Sequence, residues 1–178
     1  MANRLIPAAA LEGNVLDIGH GAFPLFLSQI EARERHGIDR ISERASIEWA
    51  RHGIQLVYQD LDQDCHLPYS DGYFRAITML AVFEHIAPPR LAELVSEVHR
   101  VLEPGGIYVI TTPAAWTGWL LALMSQLRLV SRDEIDEHKG SYGHRDIRAV
   151  LQGAGFASEG IRTGYFEAFA NNWAVATR

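Results

Sequence analysis

The stretch VLDIGHGAFP at residues 15–24 limits, more than any other, what this chain can fold into. Residues 15–18 form an apolar run typical of a short buried strand, and the run ends at Gly19 and Gly21. Apolar residues then recur at helical spacing between positions 25 and 30. The pattern predicts a strand, a tight turn and a helix, which is how doubly wound α/β folds build the turn that holds a ligand.

The two glycines admit two interpretations. They either only shape a tight turn, or let a ligand approach the backbone where a Cβ would collide. Asp39 favours the ligand, because it follows Asp17 by 22 residues, at the end of a second candidate strand, where an acidic side chain binds ribose hydroxyls. Dinucleotide-binding turns need a third glycine at position 23 or 24, where this chain has Phe23 and Pro24. A pyrophosphate cradle is therefore disfavoured, and a nucleoside ligand without phosphate remains open.

The composition fits one soluble globular domain over residues 1–178. The chain is 48% hydrophobic and 21% charged, and its net charge of −6 comes without a basic cluster, which argues against nucleic-acid binding. Its single cysteine, Cys65, excludes an intramolecular disulfide and suits a reducing compartment. The first strand begins too early for a full signal peptide, and no apolar stretch reaches the roughly 20 residues that span a bilayer. We therefore expect a cytoplasmic protein without a transmembrane segment.

Helices and strands alternate along the chain at a spacing that predicts a parallel sheet with helices on both faces. We expect helices over residues 24–35, over 43–52 with Ser42 as its N-cap, from Pro88 to a stop at Pro104, and over 144–152. We expect strands over residues 15–18, 36–39, 54–58, 74–80 and 107–111, then two more after Phe156, the last over 173–177.

The loop of residues 59–68, after the third strand, is acidic and polar. Most of its three aspartates fit a solvated surface. At least one of them is expected to contact a ligand, because loops at the carboxyl ends of parallel strands are where open α/β sheets bind their ligands.

The segment of residues 114–142 combines an apolar helical stripe with a polar run. The stripe consists of Trp116, Trp119, Leu120, Leu123, Met124 and Leu127. A buried core helix is the ordinary interpretation of such a stripe. The alternatives are a cover over an apolar substrate, an oligomer contact and a membrane-surface contact. We predict a helical cover over the site, with a possible homodimer contact through residues 114–130.

Six short blocks lie in order within residues 14–156: VLDIGHG (15–21), GIDRIS (37–42), LPYSDGYF (67–74), FEHI (83–86), RVLEPGG (100–106) and AGF (154–156). Each block alone is weakly specific. Together they resemble the class I methyltransferases that use S-adenosylmethionine, of the small-molecule type that includes ubiquinone- and sugar-modifying enzymes. The resemblance implies a Rossmann-like, doubly wound, mostly parallel α/β sheet of seven strands in the order 3-2-1-4-5-7-6, with the last strand antiparallel.

The resemblance also implies where the cofactor, S-adenosylmethionine, binds. Neutral backbone groups suit a ligand without phosphates, and acidic neighbours suit a cation. Asp17, Gly19 and Gly21 would border the methionine part, and Asp39 would bind the ribose. The adenine would lie near Asp60, Leu61 and Asp62. The sulfonium would be flanked by Leu80, Ala81 and Val82.

Three positions depart from the family pattern. His20 stands where a small or thiol-bearing residue is usual, and Phe23 stands at the third glycine, so we expect a crowded turn. Arg75 stands where aspartate is usual. Because that position opens the fourth strand, at the end away from the ligand, we interpret the change as structural.

Methyl transfer from a sulfonium mainly requires alignment of the acceptor, the methyl group and the sulfur. A general base is needed only where the acceptor is weakly acidic. His85, His138 and Tyr142 are the candidates for that base, because they would face an acceptor in the family layout. No pair of His, Cys or Asp has a spacing typical of zinc ligands, so no metal is expected.

We therefore expect an S-adenosylmethionine-dependent methyltransferase whose partner is a small-molecule acceptor that is at least partly apolar. One alternative is a binding or regulatory protein that keeps the fold without catalysis, which Phe23 and the short chain favour. Another is a nicotinamide-dependent oxidoreductase, which the missing third glycine opposes.

Overall fold

The strands of the protein follow the apolar runs of the sequence. The computed structural model describes residues 2–114, 116 and 142–178. The third and fourth strands have the bounds that the sequence predicts. The strands are β1 (Asn14–Ile18), β2 (Glu34–Asp39), β3 (Ile54–Tyr58), β4 (Phe74–Leu80), β5 (Leu102–Pro113), β6 (Ile161–Phe166) and β7 (Asn171–Thr177).

Helices separate most of these strands. In the described ranges they are α1 (Ala2–Leu5), α2 (Ala8–Leu11), α3 (Leu25–Ser28), α4 (Glu43–Ala50), α5 (Pro88–Val101) and α6 (His144–Gly153), with 3₁₀ turns at Phe83–His85 and Ser158–Gly160. The Ser42 hydroxyl accepts a hydrogen bond from the Ala45 N–H at 3.3 Å. The predicted N-cap of α4 is therefore confirmed.

One sheet contains all seven strands, in the order β3-β2-β1-β4-β5-β7-β6. β7 is antiparallel to β5 and β6, and the other pairs are parallel. The fold predicted from the resemblance is thereby confirmed. The strand order reverses between β1 and β4, and at such a switch point the connections diverge and leave a crevice at the carboxyl ends of the strands.

The two faces of the sheet pack against different helices. Leu16 and Ile18 of β1 lie in the core that includes α5 and α6. Val15 lies in the other core, with Ile6 and Phe26 from the α1–α3 side. Because residues two apart on a strand share a face, Asp17 points to the side of Val15. That side is the one covered by α1, α2 and α3.

The predicted helix over residues 24–35 is much too long, because α3 ends at Ser28. The Gln29 N–H donates to the Phe26 carbonyl at 3.1 Å and closes the last turn. The chain then returns to the sheet, where the Arg33 N–H donates to the Gly13 carbonyl at 3.1 Å. Pairing of β2 with β1 therefore takes residues that the apolar spacing assigned to the helix.

The sequence predicts that the Pro104-Gly105-Gly106 run ends α5. In the structure this run lies inside β5. α5 stops at Val101, and the next residue, Leu102, already pairs with Phe74. Ile107 then pairs with Ala76, so the run between them forms a bulge in β5. Gly105 has φ of +80°, a conformation that glycine adopts without strain.

Most of the predicted cover, residues 114–142, lies outside the described residues, and with it the helix expected over 114–130 and His138. Ala114 and Tyr142 are described and form a parallel bridge. The two ends of the segment therefore meet just beyond β5. Within the described ranges, no helix is long and apolar enough to cross a membrane.

Candidate active site

The turn after β1 depends on backbone conformations that favour glycine. Gly19 and Gly21 have φ of +75° and +70°, where a side chain would be strained. The Gly19 N–H donates to the Ile38 carbonyl at 2.8 Å, which ties the turn to the end of β2. A Cβ at Gly19 would overlap the side chain of Val82, so the turn lies directly against the loop after β4.

Asp39, at the carboxyl end of β2, holds this turn in place. Its Oδ2 accepts a hydrogen bond from the Gly21 N–H at 2.6 Å, and its Oδ1 accepts one from the Arg40 N–H at 2.6 Å. A carboxylate oxygen can accept a second hydrogen bond. The half-buried carboxylate can therefore still bind a hydroxyl of a ligand while it fixes the turn.

Asp17, at the end of β1, is a buried acid. Its Oδ1 accepts a hydrogen bond from Thr78 Oγ1 at 2.5 Å. Burial, aided by the charge of Asp39 and opposed by the Thr78 hydrogen bond, raises the pKa of Asp17 to about 7. Among the described residues no ion pair includes Asp17. A cationic ligand would therefore stabilise its charged form.

A cleft of about 450 Å³ opens beside Asp17 at the carboxyl edge of the sheet. Two other residues that the sequence assigns to the cofactor, Gly19 and Leu80, line it as well. The cleft therefore combines an acid with an apolar wall. The rest of the lining is apolar at Phe23, Leu25, Phe26 and Phe166 and polar at Arg4, His20, Gln29 and Thr111.

A smaller cavity of about 80 Å³ adjoins the cleft, because Gly19 lines both. Eight of the ten predicted cofactor residues thus line one or the other, and Gly21 and Ala81 do not. In the smaller cavity the predicted residues are Asp39, Asp60, Leu61, Asp62 and Val82.

Ala81 contributes through its backbone. Its φ is +55°, which costs a non-glycine residue about 1–3 kcal/mol. The Ala81 N–H donates to Thr111 twice, to the carbonyl at 2.9 Å and to Oγ1 at 3.2 Å. These bonds hold the strained residue where β4 ends and the cleft begins. Strain of this kind clusters at functional sites.

The loop after β3 is organised by Asp60. Its Oδ1 accepts a hydrogen bond from the Asp62 N–H at 3.1 Å, and its Oδ2 accepts one from Gln63 Nε2 at 3.1 Å. Leu61 is half-buried and packs against the core. The three residues predicted to lie at the adenine are therefore fixed at the wall of the smaller cavity.

The candidate bases fall in different places. His85 lines the smaller cavity, beside Asp39 and the Asp60 loop, and not the cleft. Tyr142 is buried with its ring 4.9 Å from that of Phe83, and it lines neither cavity. Burial and the charges of Asp146 and Glu84 raise the pKa of Tyr142, so its phenol stays protonated near pH 7 and does not present a basic oxygen anion. His138 lies outside the described residues.

Phe23 stands beside the turn rather than over it. Its ring meets that of Trp49 edge-on, with 4.7 Å between centroids, and its side chain is 55% exposed. A Cβ at Gly21 would have no neighbour within 4 Å, so the turn is open. The expected crowding is therefore not what the structure has, and Phe23 forms part of the cleft wall.

His20 is accommodated by Gly37 of β2, where a Cβ would lie 2.6 Å from the imidazole Cδ2. Its two ring nitrogens are buried and have no hydrogen-bond partner among the described residues. Burial lowers the pKa of His20, against the opposing effect of Asp39. The imidazole is therefore neutral near pH 7 and adds no charge to the cleft.

Arg4, Thr78, Thr111 and Phe166 are among the residues of the candidate site that the sequence interpretation missed. Thr78 could have been found, because it pairs with Asp17 across two adjacent parallel strands that the sequence does predict. Thr111 pairs with Leu80 in the same way, whereas Arg4 and Phe166 come from elements far apart in the chain. In the described part of the chain, no group of three or more His, Cys, Asp or Glu side chains could hold a metal ion.

A seven-stranded sheet in this order, with an acidic glycine turn at its switch point, defines the class I methyltransferases that use S-adenosylmethionine. Residues 2–159 match the family model described as a methyltransferase domain, and the chain belongs to that family. The predicted enzyme class and cofactor are confirmed. The narrower likeness to ubiquinone- and sugar-modifying enzymes stays a prediction.

Solved structures of methyltransferases have the same fold as this chain. An S-adenosylmethionine-dependent methyltransferase from Archaeoglobus fulgidus superposes with a TM-score of 0.74 and 19% identity, over 99% of this chain and 90% of that one. One from Mesorhizobium loti gives a TM-score of 0.71 and 20% identity, over 99% and 95%. An uncharacterized methyltransferase of Synechocystis sp. is 34% identical over 64 residues, which are 34% of this chain and 29% of that protein. The chain therefore matches less than a third of that curated relative.

Proposed function

We propose that this protein transfers the methyl group of S-adenosylmethionine to a small acceptor with an apolar body. The observation that carries the proposal is the cleft of about 450 Å³, in which Asp17 and Gly19 share the lining with Phe23, Leu25 and Phe166. A small-molecule site is a concave apolar surface with a few oriented polar groups. This cleft has that character.

The residues present fit the cofactor. The N–H groups and acids of the turn offer no cation for a phosphate, and Asp17 is a buried acid suited to the methionyl ammonium. Asp39 would accept from the ribose hydroxyls, and Asp60, Leu61 and Asp62 would contact the adenine. When bound, the cofactor supplies an electrophilic methyl group on a sulfonium.

The chain's own contribution is to align the reactants and exclude water. Leu80, the last residue of β4, and Thr111, near the end of β5, line the same cleft as Asp17 and the apolar wall. Residues 114–142, whose ends meet beyond β5, would close the acceptor side. Closure of this kind excludes water from the reacting atoms.

A proton acceptor is required only if the methylated group is weakly acidic. His85 is the stronger of the two described candidates, because it faces a cavity that adjoins the cleft. Tyr142 would have to leave its contact with Phe83 to reach a ligand. His138 remains a candidate on its sequence position alone.

Loss of catalysis within the same fold is the alternative, and the structure removes one reason for it. That reason was a turn crowded by Phe23, whose side chain packs on Trp49 instead. A cytoplasmic location and a homodimer through residues 114–130 remain predictions.

The proposal is tested with labelled S-adenosylmethionine and a panel of small acceptors that ranges from polar to apolar. We expect turnover with apolar acceptors, and a KM about tenfold higher in Phe166→Ala and in Phe23→Ala, because each loses a wall contact of about 1.5 kcal/mol. The control is Tyr58→Ala, an exposed aromatic residue of β3 outside the cleft. Cofactor binding without any turnover would favour the inactive protein.

A further inference from the structure

Among the described residues that line the cleft, Arg4 and Asp17 are the two of opposite charge. Asp17 points to the face of the sheet that α1 covers, since it shares that face with Val15. Leu5 and Ile6, which follow Arg4, pack in the core on this same face. The fold therefore brings the first helix and the end of β1 to one cavity.

Arg4 differs from the arginines whose guanidinium groups are held by hydrogen bonds within the protein. Arg35, Arg100 and Arg148, for example, bind backbone carbonyls or carboxylates at 2.6–3.2 Å. Arg4 has an exposed side chain and makes no hydrogen bond or ion pair within residues 2–114, 116 and 142–178. Its five N–H donors are free for a ligand.

We propose that Arg4 forms an anion-binding end of the cleft and pairs with a carboxylate of the bound ligand. The inference rests on the proposed function, in which the cleft holds the methionyl part of the cofactor and the acceptor. The planar guanidinium matches a carboxylate with two parallel hydrogen bonds. The neutral imidazole of His20 cannot replace that charge.

The cofactor offers one such carboxylate. Its methionyl end is a zwitterion, and a site that desolvates both charges must supply one negatively charged and one positively charged side chain. Asp17 supplies the acid for the ammonium. Arg4 is the base that the described lining of the cleft offers for the carboxylate.

The acceptor is the second source of the same chemistry. Phe23, Leu25 and Phe166 provide an apolar wall in the cleft that contains Arg4. An apolar acid would bury its body on that wall and direct its carboxylate to the guanidinium. The two sources predict different responses to loss of Arg4.

The experiment compares the unmodified protein with Arg4→Gln and with Arg162→Gln. The second variant removes the same charge from an exposed position on β6 outside the cleft. In the cofactor arm, calorimetry measures the Kd of S-adenosylmethionine and of decarboxylated S-adenosylmethionine. In the acceptor arm, tryptophan fluorescence measures the Kd of octanoate and of octanol on protein saturated with S-adenosylhomocysteine.

If the methionyl carboxylate is the partner, Arg4→Gln weakens S-adenosylmethionine about tenfold or more and leaves its decarboxylated form within twofold. If the acceptor is the partner, Arg4→Gln weakens octanoate by a similar factor and leaves octanol unchanged. Either result supports the proposal and assigns the source. Arg162→Gln changes none of these constants by more than twofold.

The proposal is overturned if Arg4→Gln leaves every Kd within twofold of the unmodified protein, or if both variants weaken binding equally. Equal weakening of both cofactor forms, together with octanoate and octanol affinities that respond alike, would also overturn it, because neither carboxylate would then play a part. If the unmodified protein binds neither cofactor form, the proposed function itself fails. That outcome is distinct, since it does not depend on the variant.

Discussion

Asp39 is the residue on which the glycine turn and the proposed ribose site both depend. Asp39→Ala removes a charged hydrogen-bond acceptor and releases the Gly21 N–H. We expect the affinity for S-adenosylhomocysteine to fall tenfold to a hundredfold, equivalent to about 1.5–3 kcal/mol. Calorimetry measures this, with Glu31→Ala, an exposed acid outside both cavities, as the control. Unchanged affinity in a folded Asp39→Ala protein would remove Asp39 from the site.

We expect Asp17 to make cofactor binding depend on pH. Because its pKa is raised to about 7, a part of the ligand-free protein carries a neutral Asp17 at pH 7, and the cationic cofactor favours the ionised form. We expect the affinity for S-adenosylmethionine to rise between pH 6 and pH 8. In Asp17→Asn the affinity should be lower and nearly independent of pH over this range. Parallel pH profiles in the two proteins would contradict the assignment.

The same acid has the opposite effect on the stability of the ligand-free protein. Its pKa rises from 3.8 to about 7 on folding, so the folded state holds the proton more tightly. Its contribution to stability is full below about pH 3.8 and is lost as the pH rises through about 7. As the pH rises, the free energy of unfolding should therefore fall less steeply in Asp17→Asn than in the unmodified protein. The two slopes should differ by about 1 kcal/mol per pH unit. Denaturant titrations at pH 5, 6 and 7 measure the difference.

At the scale of elements, the turn between β6 and β7 is the most strained connection in the described part of the chain. Glu167, Ala168 and Phe169 have φ of 51°, 53° and 68°, three left-handed residues in succession without glycine. The turn is held by Asn171 Nδ2, which donates to Glu167 Oε2 at 2.7 Å, and by Trp116 Nε1, which donates to the Phe169 carbonyl at 2.9 Å. The residue before the turn, Phe166, lines the cleft.

We expect Ala168→Gly to stabilise the protein by about 1 kcal/mol, because glycine adopts the left-handed conformation without strain. Ala157→Gly is the matched control, since Ala157 has φ of −67° and the change there only adds chain entropy. Thermal unfolding should show a higher Tm for the first variant and a lower one for the second. The same direction of change in both would mean that the turn stores no strain.

At the scale of the whole molecule, the sheet could be predicted because its signals are repeated and redundant. β1, β4 and β5 contain clear apolar runs, and the family motifs fix the order that such runs alone leave open. The length of α3 could not be predicted, since the pairing of Glu34 with Asn14 that limits it is a contact between strands. The bulge at Gly105 could not be predicted either, because it depends on the pairing of β5 with β4.

The residues of the candidate site likewise divide into those that a local sequence pattern reveals and those that only long-range packing brings together. Most residues that the sequence predicts for the cofactor line the two cavities because they follow strand ends, which meet at one edge of the sheet. Arg4 and Phe166 are separated by most of the chain, and neither belongs to a local pattern. They line one cleft although α1 and β6 lie at opposite ends of the chain, which no short motif records.

The shared border at Gly19 makes the proposed cofactor site a pair of chambers joined at one described residue. Adenosine and methionine, given as separate fragments, should each bind weakly and should not exclude one another. Joining them turns the second contact into an intramolecular event, with an effective concentration in the millimolar range for a short link. An inhibitor confined to the larger chamber would displace the acceptor and the methionyl end while adenosine stays bound.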